Sequence, residues 1–311
     1  MSNSRILSIY NSLNYTYATL VKNHPDGLEL DWISTIDSPF DYDESETTFY
    51  ENSIQEFKNQ FEEIKDKVDG VSLVFPAEMI MVSQFPIDTN TNNENIKELL
   101  QIEIRKAFPT LEIKDFEIKT YTLNTNLNHQ PVMMCVMLPR IDILRYEEFF
   151  NNYGKKIVST NVSQISAANS FLYNYPEHRN SSSAIVGIQG NFLDFTIIEN
   201  SNILYYNLLS YQQESDIPQI LASEFLKVNE SFGNQIDNGL YCYGEDLNNE
   251  IFNEIAETLK SVDIISHKLN AFRMMKTYFD VQEIEYCKKV SHIFPPVIGA
   301  SFPSFFNNQI I

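Results

Sequence analysis

Cysteine is nearly absent: Cys135, Cys242 and Cys287 are odd in number and far apart, and the first stands inside the apolar run VMMCVML. Buried free thiols in a reducing compartment are expected, and no disulfide framework. Histidine is as sparse. His24, His129, His178, His267 and His292 show neither HxxxH nor HExxH spacing, so no metal centre can be nominated. There is no GxSxG elbow and no Walker A loop, which leaves no Ser, Cys or Asp nucleophile to single out. Basic residues are outnumbered, 22 against 42 acidic ones, for a formal charge of −20. That balance argues against nucleic acid, whose phosphates require clustered Lys and Arg, and disfavours an anionic lipid surface. Its plainest meaning is a solvated acidic surface. No stretch approaches the roughly 18 apolar residues of a membrane span. The start, MSNSRILSIYNS, lacks the basic region and long apolar core of a signal peptide, so the chain is expected in the cytoplasm. The sequons at Asn14 and Asn161 then count as chance matches.

What is present is material for a large core. Hydrophobic residues make up 43% and aromatics 13% of 311 residues, which suits a folded chain of two lobes, or of one lobe carrying an insert. The stretch 184–211 reads as a β-meander: an apolar run, a turn at Gly190-Asn191, a second strand over 192–199, and a reversal at Asn200-Ser201-Asn202. A weaker copy stands at the N-terminus, where strands at 6–9, 16–21 and 28–36 flank NSLN and Pro25-Asp26-Gly27. Two related halves are therefore expected. Between the meanders, 49–67 places Ile54, Phe57, Phe61, Ile64 and Val68 on one helical face, with Gly70 as cap and a buried strand at 71–75.

From Pro76 the pattern changes to strand 79–85, helix 93–107, strand 111–123 and strand 132–138. The helix is marked by a Thr91/Glu94 capping box, by Ile96, Leu99, Leu100, Ile104 and Ala107 on one face, and by Pro109 as its stop. This strand-helix-strand-strand unit reads as an inserted α+β module. After it come helix 142–153 capped by Gly154, strand 156–160, helix 163–173, and PEHRNSSS as an interlobe linker. Past the central meander, helix 217–231, strand 239–243, helix 248–260 and strand 262–265 alternate as in a parallel sheet. A helix over 269–279 and a last one within HIFPPVIGASFPSFF complete the expectation.

Two meanders, each heading an α/β half, with such an insert in the first, resemble the actin-like ATPase superfamily, and within it the PilM-like proteins of type IV pilus assembly. The likeness is best over 71–172. SLVFPAEMIMVSQFPID is similar to the family's strand-turn-strand, and ENIKELLQIEIRKAFP to its helix, with Glu103 at a family glutamate. FFNNYGKKIVSTNVSQISAANSFL resembles the helix, strand and helix that follow. The resemblance implies an α/β, two-lobed actin-like fold of duplicated ribonuclease H-like halves. The first lobe would be 1–75 and 140–176, the inserted module 76–139, and the second lobe 183–311.

The nucleotide motifs are where the chain departs from the family. The acidic residue and glycine-containing hydroxyl turn of the first meander fall at Tyr10, Asn11, Ser12, Leu13 and Asn14. The aspartate and glycine of the second fall at Gly187 and Gln189, leaving Gly190, Asp194 and Thr196. The Gly-Gly turn beneath adenosine becomes Tyr243-Gly244. Backbone amides reach phosphate oxygens where glycine leaves room, and Mg²⁺ needs oxygen ligands nearby. A pseudo-ATPase is expected, with no cofactor unless these altered positions still hold ATP and Mg²⁺. Read by themselves, Gly190-Asn191 is a hairpin turn, Asp194 a solvent-facing strand residue and Glu103 a helix-surface charge.

The resemblance further implies a cytoplasmic scaffold that grips the N-terminal cytoplasmic peptide of a single-span, PilN-like inner-membrane protein. The groove would lie between the insert and the main lobe, with Met79, Met81, Phe85, Glu103 and Phe108 in its walls. Direct membrane insertion is not implied, and self-association stays open. A catalytic sugar-kinase type or another nucleotide-binding actin-like ATPase would need a metal-binding aspartate and phosphate-loop glycines. An FtsA-like filament former would carry a basic amphipathic C-terminal helix, whereas FFNNQII has no Lys or Arg, and a GspL-like secretion protein would continue into a membrane span.

Overall fold

The computed structural model describes residues 4–40, 49–87, 93–123, 131–232, 236–306 and 308–310. The Thr91/Glu94 capping box falls partly outside them. The first meander is β1 (Ser4–Asn11), β2 (Thr16–His24) and β3 (Gly27–Ile36), followed by α1 (Phe49–Ile64) and β4 (Gly70–Phe75). The insert supplies β5 (Met81–Pro86), α2 (Asn93–Ala107), β6 (Phe116–Leu123) and β7 (Val132–Pro139). The first half resumes with α3 (Arg140–Asn151), β8 (Ile157–Val162) and α4 (Ser163–Asn174). The second half runs β9 (Ser182–Gln189), β10 (Phe192–Glu199), β11 (Asn202–Ser210), α5 (Ile217–Phe232), β12 (Leu240–Tyr243), α6 (Asn249–Lys260) and β13 (Ser266–Lys268). It is followed by β14 (Lys276–Thr277), α7 (Val281–Val290), α8 (Pro295–Gly299) and β15 (Asn308–Ile310).

The duplication is visible in the strand orders. One sheet reads β14-β3-β2-β1-β4-β8 and another β11-β10-β9-β12-β13, so each half is an antiparallel meander whose first strand pairs in parallel with the strand after the helix. A third sheet, β15-β6-β7-β5, carries α2 on one face. Period-two alternation divides its side chains. Phe116, Ile118, Cys135 and Met137 meet Ile96, Leu100 and Ile104 of α2, while Tyr121, Leu123, Met134, Val136 and Leu138 join the main core. Leu99 is instead 42% exposed, because the buried stripe follows positions i, i+4 and i+8 and leaves Leu99, like Ala107, outside it.

The main core gathers Phe40, Phe57, Phe61, Phe149 and Phe150 beneath the first sheet, and α4 is buried nearly all round between the halves. All three cysteines are buried and free. Gly299 of α8 crosses α4 so closely that a Cβ there would stand 1.7 Å from the Ser166 carbonyl oxygen.

Four local expectations are corrected. Gly70 does not cap a helix: α1 ends in a 3-10 turn, Lys65–Lys67, and Gly70 opens β4, where the Val158 side chain lies over it. The strand expected at 262–265 lies at β13, because Val262 and Ile264 donate back to the Leu259 carbonyl to close α6, with Asp263 left-handed at φ 58°. Residues 269–279 form turns and β14 rather than a helix. Asn174 clamps them, its amide donating to the Ala271 carbonyl (2.9 Å) and its oxygen accepting from the Met274 N–H (3.0 Å). The helix stands instead at α7, started by an Asp280/Glu283 capping box. Finally, β14, α7 and α8 pack with the first sheet and not the second, Ala271, Cys287, Phe294, Val297 and Ile298 burying Tyr10, Tyr17, Leu28 and Leu30. The chain crosses back because the far face of that meander is apolar.

Candidate functional site

Two places in this fold bring polar strand ends together. The first is the cleft between the meanders, where the altered nucleotide positions meet. Tyr10, at the end of β1, donates its hydroxyl to Gln189 Oε1 at 2.5 Å, and Tyr243, at the end of β12, donates to Gln164 Oε1 at 2.5 Å. Both rings are essentially buried, at 2% and 0% exposed. The Tyr243 ring lies so close over Gly187 that a Cβ there would meet its Cζ at 2.6 Å. In the following turn, Gly244 has φ +124°, with the Ile188 carbonyl against it. Asn11 turns the other way, donating to the Phe40 carbonyl and to the Tyr146 hydroxyl. Leu13 is exposed at the hairpin tip, with Asn14 and Ser12 below it.

Four carboxylates complete the cleft, of which Glu78, Glu245 and Asp246 were not singled out in the sequence. Glu245 accepts from Ser12 (2.7 Å), Tyr17 (3.1 Å) and Asn14 (3.3 Å), all across the gap. Asp246 accepts from the Gly190 N–H, and Glu78 lies against the Cα of Gly190, which turns with φ +57°. Asp194, read as solvent-facing, is 1% exposed because both faces of β10 are covered. It accepts from Tyr206 (3.0 Å) and Ser163 (3.4 Å). Thr196 is buried too, its hydroxyl without a partner. Burial pushes the Glu78 carboxyl up to about 7, the negative charges of Asp194, Glu245 and Asp246 adding to it. Burial likewise raises Asp194 and Asp246 to about 6. The only sequence signal was Glu-Asp directly after Tyr243-Gly244.

At these residues a nucleotide with Mg²⁺ would meet occupied space and like charge. Tyrosine rings occupy the space over Gly187, and the surrounding charge is negative. No group of three or more His, Cys, Asp and Glu able to hold a metal occurs among the described residues.

The second place is a cavity of about 610 Å³ under the small sheet. Its walls are β6 through Glu117 and Lys119, β8 from 157 to 161, α3 through Ile143 and Glu147, the start of β1, and residues 300–304. β8 is the outer strand of its sheet, so one backbone edge has no strand beside it among the described residues. Lys119, 6% exposed, donates to the Thr160 carbonyl and pairs with Glu117 at 3.7 Å, while Thr160 donates to Glu117. Burial pulls the Lys119 amine down, partly opposed by Glu117. Val158 stays 57% exposed.

The five residues expected to grip a partner are distributed elsewhere. Met81 and Phe85 pack toward α2, and Met79 packs on the main core. Glu103 pairs with Lys106 at 2.6 Å on the surface of α2, and Phe108 is 46% exposed just beyond it. None of them lines the cavity. Glu117-Ile118-Lys119, a charge on each side of one apolar residue, was the available sign that β6 presents a polar face inward.

No protein-family model matches this chain, and no curated protein matches it in sequence. Among solved structures it is similar to a PilM–PilN type IV pilus biogenesis complex, with a TM-score of 0.68 at 12% identity over 96% of this chain and 98% of that one. It is also similar to a Bacteroides thetaiotaomicron protein of actin-like ATPase fold and unknown function, with a TM-score of 0.51 at 15% identity over 85% and 91% of the two chains. The chain thus has the actin-like ATPase fold. No described helix is long and apolar enough to cross a membrane.

Proposed function

We propose that this protein is a PilM-like scaffold of a type IV pilus or related secretion machine, which takes up an extended cytoplasmic segment of an inner-membrane partner and uses no nucleotide. The observation that carries the reading is the cavity bounded by the outer edge of β8. Its volume, about 610 Å³, lies within the range of ligand sites. An extended peptide can add to a strand edge through main-chain hydrogen bonds and place alternate side chains in the walls. Glu147 stands there beside the paired Glu117 and Lys119, in a chain of charge −20, which favours a segment bearing a basic residue. The likeness to a PilM–PilN complex supports a PilN-like partner. The departures at Tyr10, Gly187, Gln189 and Tyr243 support the pseudo-ATPase half of the proposal.

The test has two arms. Solubilised inner membranes are passed over the immobilised protein, the single-span protein retained is identified, and its N-terminal cytoplasmic peptide is synthesised and titrated. Glu147→Lys with Val158→Asp should weaken that peptide at least about tenfold, or 1.4 kcal/mol, while the circular dichroism spectrum stays unchanged. Equal affinity in the folded double variant rules the cavity out. Calorimetry with Mg-ATP is the second arm, and binding tighter than about 10 μM, roughly −7 kcal/mol, would restore a nucleotide-dependent role.

A further inference from the structure

The cleft between the meanders is closed in a frustrated way. Glu78 stands in the 3-10 turn Ala77–Met79 between β4 and β5, with its carboxyl pressed on Gly190 of the opposite half. Its Oε2 is buried without a hydrogen-bond partner. Gln189 and Gln164, 3% and 2% exposed, give Oε1 to the two tyrosines and are left with Nε2 unmatched. The groups facing Glu78 are Asp194 of β10, Glu245 and Asp246 after β12, Tyr206 of β11 and Tyr211 beyond it, Tyr10 of β1 and Tyr243 of β12. The carboxyls are all of one sign, and none of the four has an ion-pair partner among the described residues. The bonds that hold the halves together here run through neutral donors: Ser12, Asn14 and Tyr17 to Glu245, Tyr10 to Gln189, Ser163 to Asp194, and Gln84 to the Tyr206 carbonyl at 3.0 Å.

We propose that this cleft is a proton-operated latch, shut while the Glu78 carboxyl is protonated and loosened when it ionises. The closed contact has room for a neutral acid against Gly190, but it offers a carboxylate no cation among the described residues and leaves Oε2 buried without a donor. Opening hydrates the carboxylate and separates it from Glu245 and Asp246. The sign follows from the raised carboxyl: its closed-cleft value is about 7 against 4.5 for a free glutamate, so closure is favoured at low pH and is lost progressively as pH rises from about 4.5 to 7. The latch is independent of whatever fills the cavity under the small sheet.

Hydrogen exchange of the intact protein reads it. Protection of the amides over 10–15 and 187–192, corrected for the intrinsic pH dependence of exchange, should fall about thirtyfold between pH 5.5 and 8. Glu78→Gln, which keeps the shape and cannot ionise, should lose most of that dependence. Asp194 and Asp246 account for what remains. A wild type flat across this range, or a Glu78→Gln variant with the full wild-type profile, overturns the latch. Should Glu78→Gln fail to fold, carbon-detected titration of the wild-type carboxyls decides instead. A glutamate titrating near neutrality and moving to lower pH in Glu245→Gln supports the latch, and the absence of any such glutamate overturns it.

Discussion

The cleft between the meanders and the cavity under the small sheet are both lined by strand ends, yet one is packed shut and the other stays open. In the cleft, Tyr10 and Tyr243 fill the space with rings, and their hydroxyls find acceptors in Gln189 and Gln164. Burying two tyrosines removes apolar area from water at about 25 cal/mol per Å² and satisfies each hydroxyl, so the filled cleft contributes to the fold. In the cavity, Glu117 and Lys119 of β6 are bonded to Thr160 of β8 and Ser159 to Ser72, which fixes the spacing of the walls, because polar groups already paired with one another gain little from collapsing further. A gap that has been filled has been turned to stability, and a gap kept open by paired polar walls is the better place to look for binding.

Substitutions at the two places should therefore behave differently. Tyr243→Ala removes a buried ring and its hydrogen bond, and should cost about 3 to 5 kcal/mol in denaturant unfolding. A midpoint shift worth less than about 1 kcal/mol would mean the cleft is not packed shut. Leu100→Ala, under the small sheet but on its α2 side, should cost about 2 to 5 kcal/mol. An unmoved midpoint would remove the claim that α2 and its sheet share a core. Glu245→Gln keeps one acceptor for Ser12, Asn14 and Tyr17 but loses the charge, and should cost about 1 kcal/mol. At the cavity, Val158→Ala should stay within about 0.5 kcal/mol because the side chain is largely exposed. A loss of 2 kcal/mol or more at Val158 would show that β8 is already covered in solution.

Much of the fold could be read from the sequence because period and punctuation agreed. The second meander, with Gly190 and Asn200-Ser201 at its turns, and the stripe Ile96, Leu100, Ile104 are local signals that packing only confirmed. The failures were tertiary. Residues 269–279 carry a helical pattern, but Asn174 from α4, about a hundred residues away, takes their backbone groups. Asp194 looked solvent-facing because its neighbours alternate in polarity, and only the place of β10 between β11 and β9, with Tyr206 beside it, shows otherwise. The departures at Tyr10 and Tyr243 were legible as departures. The residues that fill the cleft instead were not, since Glu78, Gln164 and Glu245 come from three separate elements and share no motif.

The edge strand β14 also shapes how the molecule can be made. It pairs Lys276 with Glu29 and Thr277 with Leu30, and Thr277 lies 247 residues downstream of Leu30. At translation rates of roughly 5 to 20 residues per second, the first meander waits on the order of 10 to 50 s for the segment that covers its far side. Throughout that interval Leu28 and Leu30 would be without α7, α8 and the strand that shields their edge. Nascent chains stalled in this window should be the species that aggregates, and holding factors in the host should matter more for yield than the stability of the finished protein.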